Sequence, residues 1–397
     1  MEATAPYFNP FDPDFRANPY PHYQRLLQAP PLRYSGGISA VVISRYKDVL
    51  EVLLDPATFS NHRPERTPFR QLDLTGDAMT MLGADPPVHT RLRKLVSRDF
   101  TSRRIAGMAP RITEITNALL DEVAAKGEFE VIADLANELP VMVIAEMLGI
   151  PTERHREFKA WSNAIIASSA IPPQMPRPPE AIEATKLMKT FIANEIERRR
   201  HLPGPDLISA LIASQEAEVL TPGELLAFLI LLLLAGNETT TNLIGNGLLA
   251  LGRYPEQREC LRQDRNLIDS AIEEMLRFDS PVQGTIRVAR QAAMAGGVEI
   301  EPGTLVIPLL AAANRDPSIF ERPEDFDIAR DPNEHLAFGY GIHFCIGSPL
   351  ARLEGSIAIA SVLERFPHLA LADRGATLNY RGSLFLRGLS ALPMKIK

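Results

Sequence analysis

Residues 338–347 read FGYGIHFCIG, and SPLARLEGSIAIASVLERF follows at once. The stretch holds Cys345, one of 2 cysteines in the chain, between glycines and just ahead of a helix-patterned segment. Gly339, Gly341 and Gly347 permit positive φ and let the backbone fold tightly with its N–H groups aimed at the sulfur. A helix beginning near Ile346 adds the positive end of its dipole, so the thiol is expected to ionise below its reference of about 8.5. A lone thiolate in such a turn suits an axial haem ligand better than zinc or an iron–sulfur cluster, which need several ligands. By spacing alone, a buried structural cysteine after a Gly-rich turn fits as well. Other parts of the chain decide between them.

The composition narrows the field. A length of 397 residues with 45% apolar residues supports a sizeable core, read here as one domain over residues 1–397. A formal charge of −7 disfavours nucleic acid as a partner. Cys260 and Cys345 give no disulfide framework, which is compatible with a reducing cytosol. The N-terminus MEATAPYFNPFDPDF shows neither a basic nor an apolar leader region, so a cytoplasmic protein without a membrane anchor is expected. The longest apolar run, LLAFLILLLLA from Leu225 to Ala235, falls well short of the roughly 18 to 20 residues that span a bilayer.

Taken in order, Ala40–Ser44 predicts a strand after the Gly36–Gly37 turn, and YKDVLEVLLDP a short helix ending at Pro56. Phe59 to Leu82 is irregular and polar, with Arg63, Arg66 and Arg70. Asp85-Pro86-Pro87 reads as a cap and proline opening a helix on which His89 and Arg93 share a face. Arg91, Lys94 and Arg98 project from another arc, as a solvated face or as a docking patch for an acidic electron-transfer protein. Helices are expected over roughly 106–126, 131–148 and 152–169, with Trp161 as a packing residue. IPPQMPRPPE, residues 171–180, contains 5 prolines and so makes a stiff connection.

TPGELLAFLILLLLAGNETTTNLIGNGLLALGRYP predicts a long buried helix with Thr221 as cap and Pro222 at its first position. Polarity breaks in abruptly at Gly236-Asn237-Glu238-Thr239-Thr240-Thr241. A buried acid beside threonines is costly unless hydrogen-bonded, and a threonine hydroxyl bonded back to a carbonyl opens a local groove. In LIDSAIEEMLRF, Glu274 and Arg277 stand at i and i+3 and can pair. Gly297–Pro308 predicts a hairpin turning at Pro302-Gly303, and LNYRGSLFLRGLSALPMKI a second one.

FGYGIHFCIG resembles the haem-binding signature of the cytochrome P-450 family, Phe-x-x-Gly-x-x-x-Cys-x-Gly, with Phe338, Gly341, Cys345 and Gly347 in the family's places. Ala235–Thr239 resembles the family's Ala/Gly-Gly-x-Asp/Glu-Thr motif, and Glu274, Arg277 and Arg330 its Glu-x-x-Arg and the arginine that completes it. The resemblance covers essentially the whole chain. It implies a mainly α fold with a smaller β-rich region, and haem b held between the central helix and the Cys345 loop. Cys345 becomes the iron ligand, with Phe338, Gly339, Gly347 and Ala235 beside the haem. His89, Arg93, Arg287 and His343 match the charge of two propionates.

The same resemblance makes Thr239 the hydrogen-bond donor to dioxygen and Glu238 part of the proton route. The loop after Phe59 becomes a wall of the pocket, and the proline-rich segment part of a lid. Leu231, Leu234, Val282, Thr285, Ile286, Phe385 and Leu386 become pocket residues, favouring a lipophilic substrate such as a fatty acid, terpenoid, steroid or polyketide. Arg63, Arg66 or Arg70 of the loop would either bind a carboxylate, favouring a fatty acid, or simply be solvated. Electrons are expected from a separate ferredoxin or flavodoxin with its NAD(P)H-dependent reductase. The rival readings are a peroxide-driven peroxygenase and a haem-thiolate carrier or sensor without turnover.

Overall fold

A computed structural model describes residues 6–35, 39–62, 78–98, 100–168, 171, 175–216, 220–381, 383 and 385–396. Arg63, Arg66 and Arg70 lie outside the described residues, as do residues 172–174 of the proline-rich connection. The helices that position the site are α1 (Tyr20–Gln28), α2 (Tyr46–Leu54), α3 (Val88–Val96), α4 (Ala109–Lys126), α5 (Glu138–Met147), α6 (His155–Ala167), α7 (Pro179–His201), α8 (Pro222–Arg253), α9 (Ile268–Phe278) and α10 (Ser348–Arg365).

The axis of the helical region is α8. Its start is fixed by a capping box: Thr221 Oγ1 accepts the Glu224 N–H at 3.2 Å, and Glu224 accepts the Thr221 N–H at 2.9 Å. By length and composition alone α8 could cross a membrane, but 72% of its apolar window is buried inside the fold. It packs against α5, α7, α9 and α10. Close approach depends on missing side chains: a Cβ on Gly247 would lie 2.6 Å from the Met275 sulfur of α9. Trp161 packs between Phe158 and Phe191, at the α6–α7 contact.

The sheet region sits beside this bundle. Strands β1 (Leu32–Tyr34), β2 (Ala40–Ile43), β3 (Phe59–Ser60), β5 (Arg287–Ala289) and β8 (Leu305–Pro308) form one sheet in the order β1-β2-β8-β5-β3. β2 runs parallel to β8, with Ala40 opposite Leu305, and the other pairs are antiparallel. Every residue of β2 and β8 is buried, as central strands covered on both faces require. A three-stranded sheet joins β4 (Phe129–Glu130), β10 (Pro393–Lys395) and β9 (Ala370–Leu371).

Three local expectations change. The helix expected over 131–148 divides into a π-helical turn, Ile132–Ala136, and α5. The hairpin expected over Gly297–Pro308 does not form: β7 (Val298–Ile300) pairs with β6 (Ala293–Ala295) across Gly296-Gly297, both at positive φ. Gly303, at φ 83°, then turns the chain so that β8 enters the larger sheet. Asp85 does not cap α3 with its side chain; its carboxylate accepts the Asn61 N–H at 3.0 Å and the Ser60 hydroxyl.

Candidate functional site

The Cys345 loop is closed by its own backbone. The Cys345 N–H donates to the Phe338 carbonyl at 3.0 Å and the Phe344 N–H to Gly341 at 3.1 Å. Gly339 and Gly341 have φ of 71° and 70°, and a Cβ on Gly341 would meet the Leu53 carbonyl oxygen at 2.9 Å. Gly347, by contrast, lies at φ −81°, which any residue adopts. The Gly347 and Ser348 N–H groups point at the sulfur, and Arg93 and Arg352 add positive charge. By surface area Cys345 is exposed, yet the protein enclosing its thiol outweighs these groups and pushes it up, against the lowered value expected from the turn and dipole. A metal cation at the sulfur would reverse that balance.

Above the loop, basic groups converge. The rings of His89 on α3 and His343 lie 4.3 Å apart between centroids. His343 is pushed down to about 3 by burial and by the nearby His89, Arg287 and Arg93, with only Asp85 pulling the other way. Burial and Arg93 lower His89 too. The Nε2 atoms of both rings are buried without a hydrogen-bond partner. Arg287 donates to Thr285 Oγ1 at 3.1 Å and to the Ile286 carbonyl at 2.9 Å. Such a set is unfavourable by itself and complementary to a bound dianion.

On α8, Leu231, Leu234, Ala235 and Thr239 are open or half-open in the middle of an otherwise buried helix. They form one stripe, since i, i+4 and i+8 share a face. The Thr239 hydroxyl donates to the Ala235 carbonyl at 2.8 Å. Glu238 faces elsewhere: Arg381 Nη1 donates to its two oxygens at 3.1 and 3.0 Å, and Arg381 Nη2 to Asn137 Oδ1 at 2.8 Å. Next to it, Lys159 of α6 donates to Asn237 Oδ1 at 2.9 Å, and Asn237 Nδ2 to Ser162 at 3.2 Å. Burial lowers Lys159 to about 8.

Residues 22–390 match the family described as cytochrome P-450. The chain belongs to the cytochrome P-450 family. It is 41% identical to the vitamin D(3) 25-hydroxylase of Pseudonocardia autotrophica over 97% of its own length and 95% of that protein. It is 42% identical to the 6-deoxyerythronolide B hydroxylase of Saccharopolyspora erythraea over 80% and 78% of the two chains. A solved cytochrome P-450 in complex with hexadec-9Z-enoic acid ligated acyl carrier protein superposes with a TM-score of 0.89, at 39% identity, over 97% of this chain and 100% of that one.

This cytochrome P-450 is therefore a haem b monooxygenase with the family fold. The residues present fit the group. The open α8 stripe and the open sulfur suit a flat apolar ring, and the unpartnered imidazoles with Arg93 and Arg287 suit its carboxylates. Haem, when bound, supplies oxygen activation and the insertion of one oxygen atom.

The remaining sequence-derived residues fall into two groups. Glu274, Arg277 and Arg330 come together: Arg277 grips Glu274 at 2.7 and 2.8 Å, and Arg330 Nε lies 3.1 Å from the same carboxylate. Among the pocket residues, Val282 bridges to Leu386, and Thr285 is half-buried. Ile286, one residue on in extended chain, turns to the other side and is buried in the Phe8–Phe15–Tyr23 cluster. Phe385 and Leu386 line a small crevice with Phe8, Phe15, Tyr23 and Arg381. Arg381, Asn137 and Lys159 escaped the sequence reading, because nothing in their local patterns marks them as partners of α8.

Proposed function

We propose that this cytochrome P-450 hydroxylates a bulky, largely apolar molecule at the α8 stripe, with electrons from a separate ferredoxin or flavodoxin and its NAD(P)H-dependent reductase. Bacterial members of the family use ferredoxin-type partners and lipophilic substrates. Cys345 is the iron ligand, and His89, Arg93, Arg287 and His343 take the propionates. Thr239 holds a proton at the oxygen-binding groove, and Glu238 supplies it. Leu231, Leu234, Val282 and Thr285 set the shape of the pocket. The chain works in the cytoplasm.

One observation carries this reading: a stripe of apolar residues ending in Thr239 stays open or half-open in the middle of a helix that is otherwise mostly buried. Lys94 is exposed on α3 and Arg98 in the turn just after it, which supports docking of an acidic donor there. The test is a panel of fatty acids, steroids and macrolide polyketides, screened for the spin-state change that accompanies loss of the distal water. Turnover of the hits is then compared with redox partners, with peroxide, and with neither. Product that depends on the partners is expected. Product with peroxide alone would instead mark a peroxygenase. Cys345→Ala should abolish the red-shifted Soret band of the reduced carbon monoxide complex, and its retention would remove Cys345 as ligand.

A further inference from the structure

Adjacent carboxylates on α9 hold two different parts of the Cys345 segment. Glu274 accepts the Asp327 N–H at 2.9 Å and the Asn333 amide at 3.2 Å, on the approach to the loop. Glu273, one residue and about 100° around the helix, takes the guanidinium of Arg352 on α10 in a two-point contact, 2.7 Å on each side. Glu273 also meets His335 Nε2 at 3.2 Å. His335 Nδ1 accepts the Ala337 N–H at 3.2 Å, so the neutral ring carries its proton on Nε2 and donates it to Glu273.

Arg352 does not simply point to solvent. Its Cζ lies 4.5 Å from the centre of the Phe338 ring, a cation over an aromatic face. The carbonyl of the same Phe338 receives the Cys345 N–H, and Arg352 is one of the charges felt by the Cys345 sulfur. Its side chain is 37% exposed and that of Glu273 28%, and a pair so placed adds little to stability. Its charge is nonetheless held in one place, on the sulfur side, by three contacts.

We propose that Arg352 and Glu273 are positioning residues that set the electron affinity of the haem centre. Arg352 fixes a positive charge over Phe338 beside the ligand loop, and Glu273, oriented by His335, limits how much of that charge the centre feels. Reduction adds negative charge, so a nearby cation favours the reduced state and a nearby carboxylate opposes it. The inference rests on Cys345 being the iron ligand.

The test is the midpoint potential of the haem-loaded enzyme, titrated spectroscopically. Glu273→Gln leaves Arg352 uncompensated and should shift the potential in the positive direction. Arg352→Gln should shift it in the negative direction, and the double variant should return close to the parent. Arg352→Lys, which keeps the charge, should fall nearer the parent than Arg352→Gln. Single variants that move the potential in the same direction, or not at all, would overturn the proposal. If Arg352→Gln does not retain haem, His335→Phe serves in its place. It leaves both charges but frees Glu273, and should give a positive shift smaller than that of Glu273→Gln; an unmoved potential there also overturns the proposal. The carbon monoxide band, recorded on the parent and on Cys345→Ala, reports separately on the ligand.

Discussion

The Glu238 carboxylate is held at 3.0 and 3.1 Å by Arg381, a residue 143 positions further along the chain, while its neighbour Thr239 faces the open groove. To pass a proton toward Thr239 the carboxylate must give up one of these contacts. Replacing Arg381 with Gln removes the cation that holds this carboxylate, which is 3% exposed. The fraction of reducing equivalents recovered as product should fall several-fold. Coupling that stays at the parent level would take Glu238 off the proton route.

Thr239 now spends its hydroxyl proton on the Ala235 carbonyl, 2.8 Å away. The bond is local and weak enough, about 1 kcal/mol net, to be exchanged for one to a ligand in the groove. Thr239→Ala should therefore leave the fold and haem content intact while oxygen consumption continues and product falls. Measured peroxide release should rise in step. Thr239→Ser, which keeps the hydroxyl, should recover part of the coupling. Full coupling in Thr239→Ala would remove the residue from the chemistry.

Local sequence carried the parts of this architecture that are built from near neighbours. Thr221-Pro222 opens α8, Gly339 and Gly341 take positive φ, and Glu274 meets Arg277 one turn away. What could not be read depends on chain reversal. Arg381 reaches Glu238 only because the segment after Leu378 folds back onto α8, with a Cβ on Gly388 placed 1.7 Å from Asn242 Oδ1. Nothing local marks Glu273, beside Glu274, as a paired residue, since its partners His335 and Arg352 are 62 and 79 residues away. The direction of the Cys345 shift differs from the turn-and-dipole expectation for another reason. The turn and the dipole are local, whereas desolvation is a property of the packed whole.

Burial of Glu354 on α10 gives a pH signature. Its Oε2 is buried without a partner, and burial pushes the carboxyl up to about 8 from 4.5. Between those values the native protein holds a proton that the unfolded chain has released, so stability falls as pH rises, by at most about 1.4 kcal/mol per pH unit. Glu354→Gln cannot ionise and escapes that loss. Its melting temperature should match the parent near pH 5 and exceed it increasingly toward pH 8. A difference that does not change with pH would mean that Glu354 does not titrate in this window.

Arg277 offers the sharpest separation of scaffold from chemistry. The side chain is fully buried, and its N–H groups go to Glu274 and to the carbonyls of Asn314, Pro323 and Asp325, at 2.7 to 3.0 Å. Lysine brings three donors from one point and cannot span that fork, so Arg277→Lys strands carbonyls and leaves Glu274 with Arg330 and weaker partners. A loss of about 3 to 5 kcal/mol is expected, the range for breaking a buried pair, with reduced haem retention because the 323–330 segment loses its anchor. Denaturant unfolding followed by the Soret band and by circular dichroism would measure both. Arg352→Lys, on the half-exposed pair with Glu273, should keep its haem and nearly all of its stability under the same conditions. Equal losses in the two variants would mean that burial of the Glu274 network is not what holds the loop.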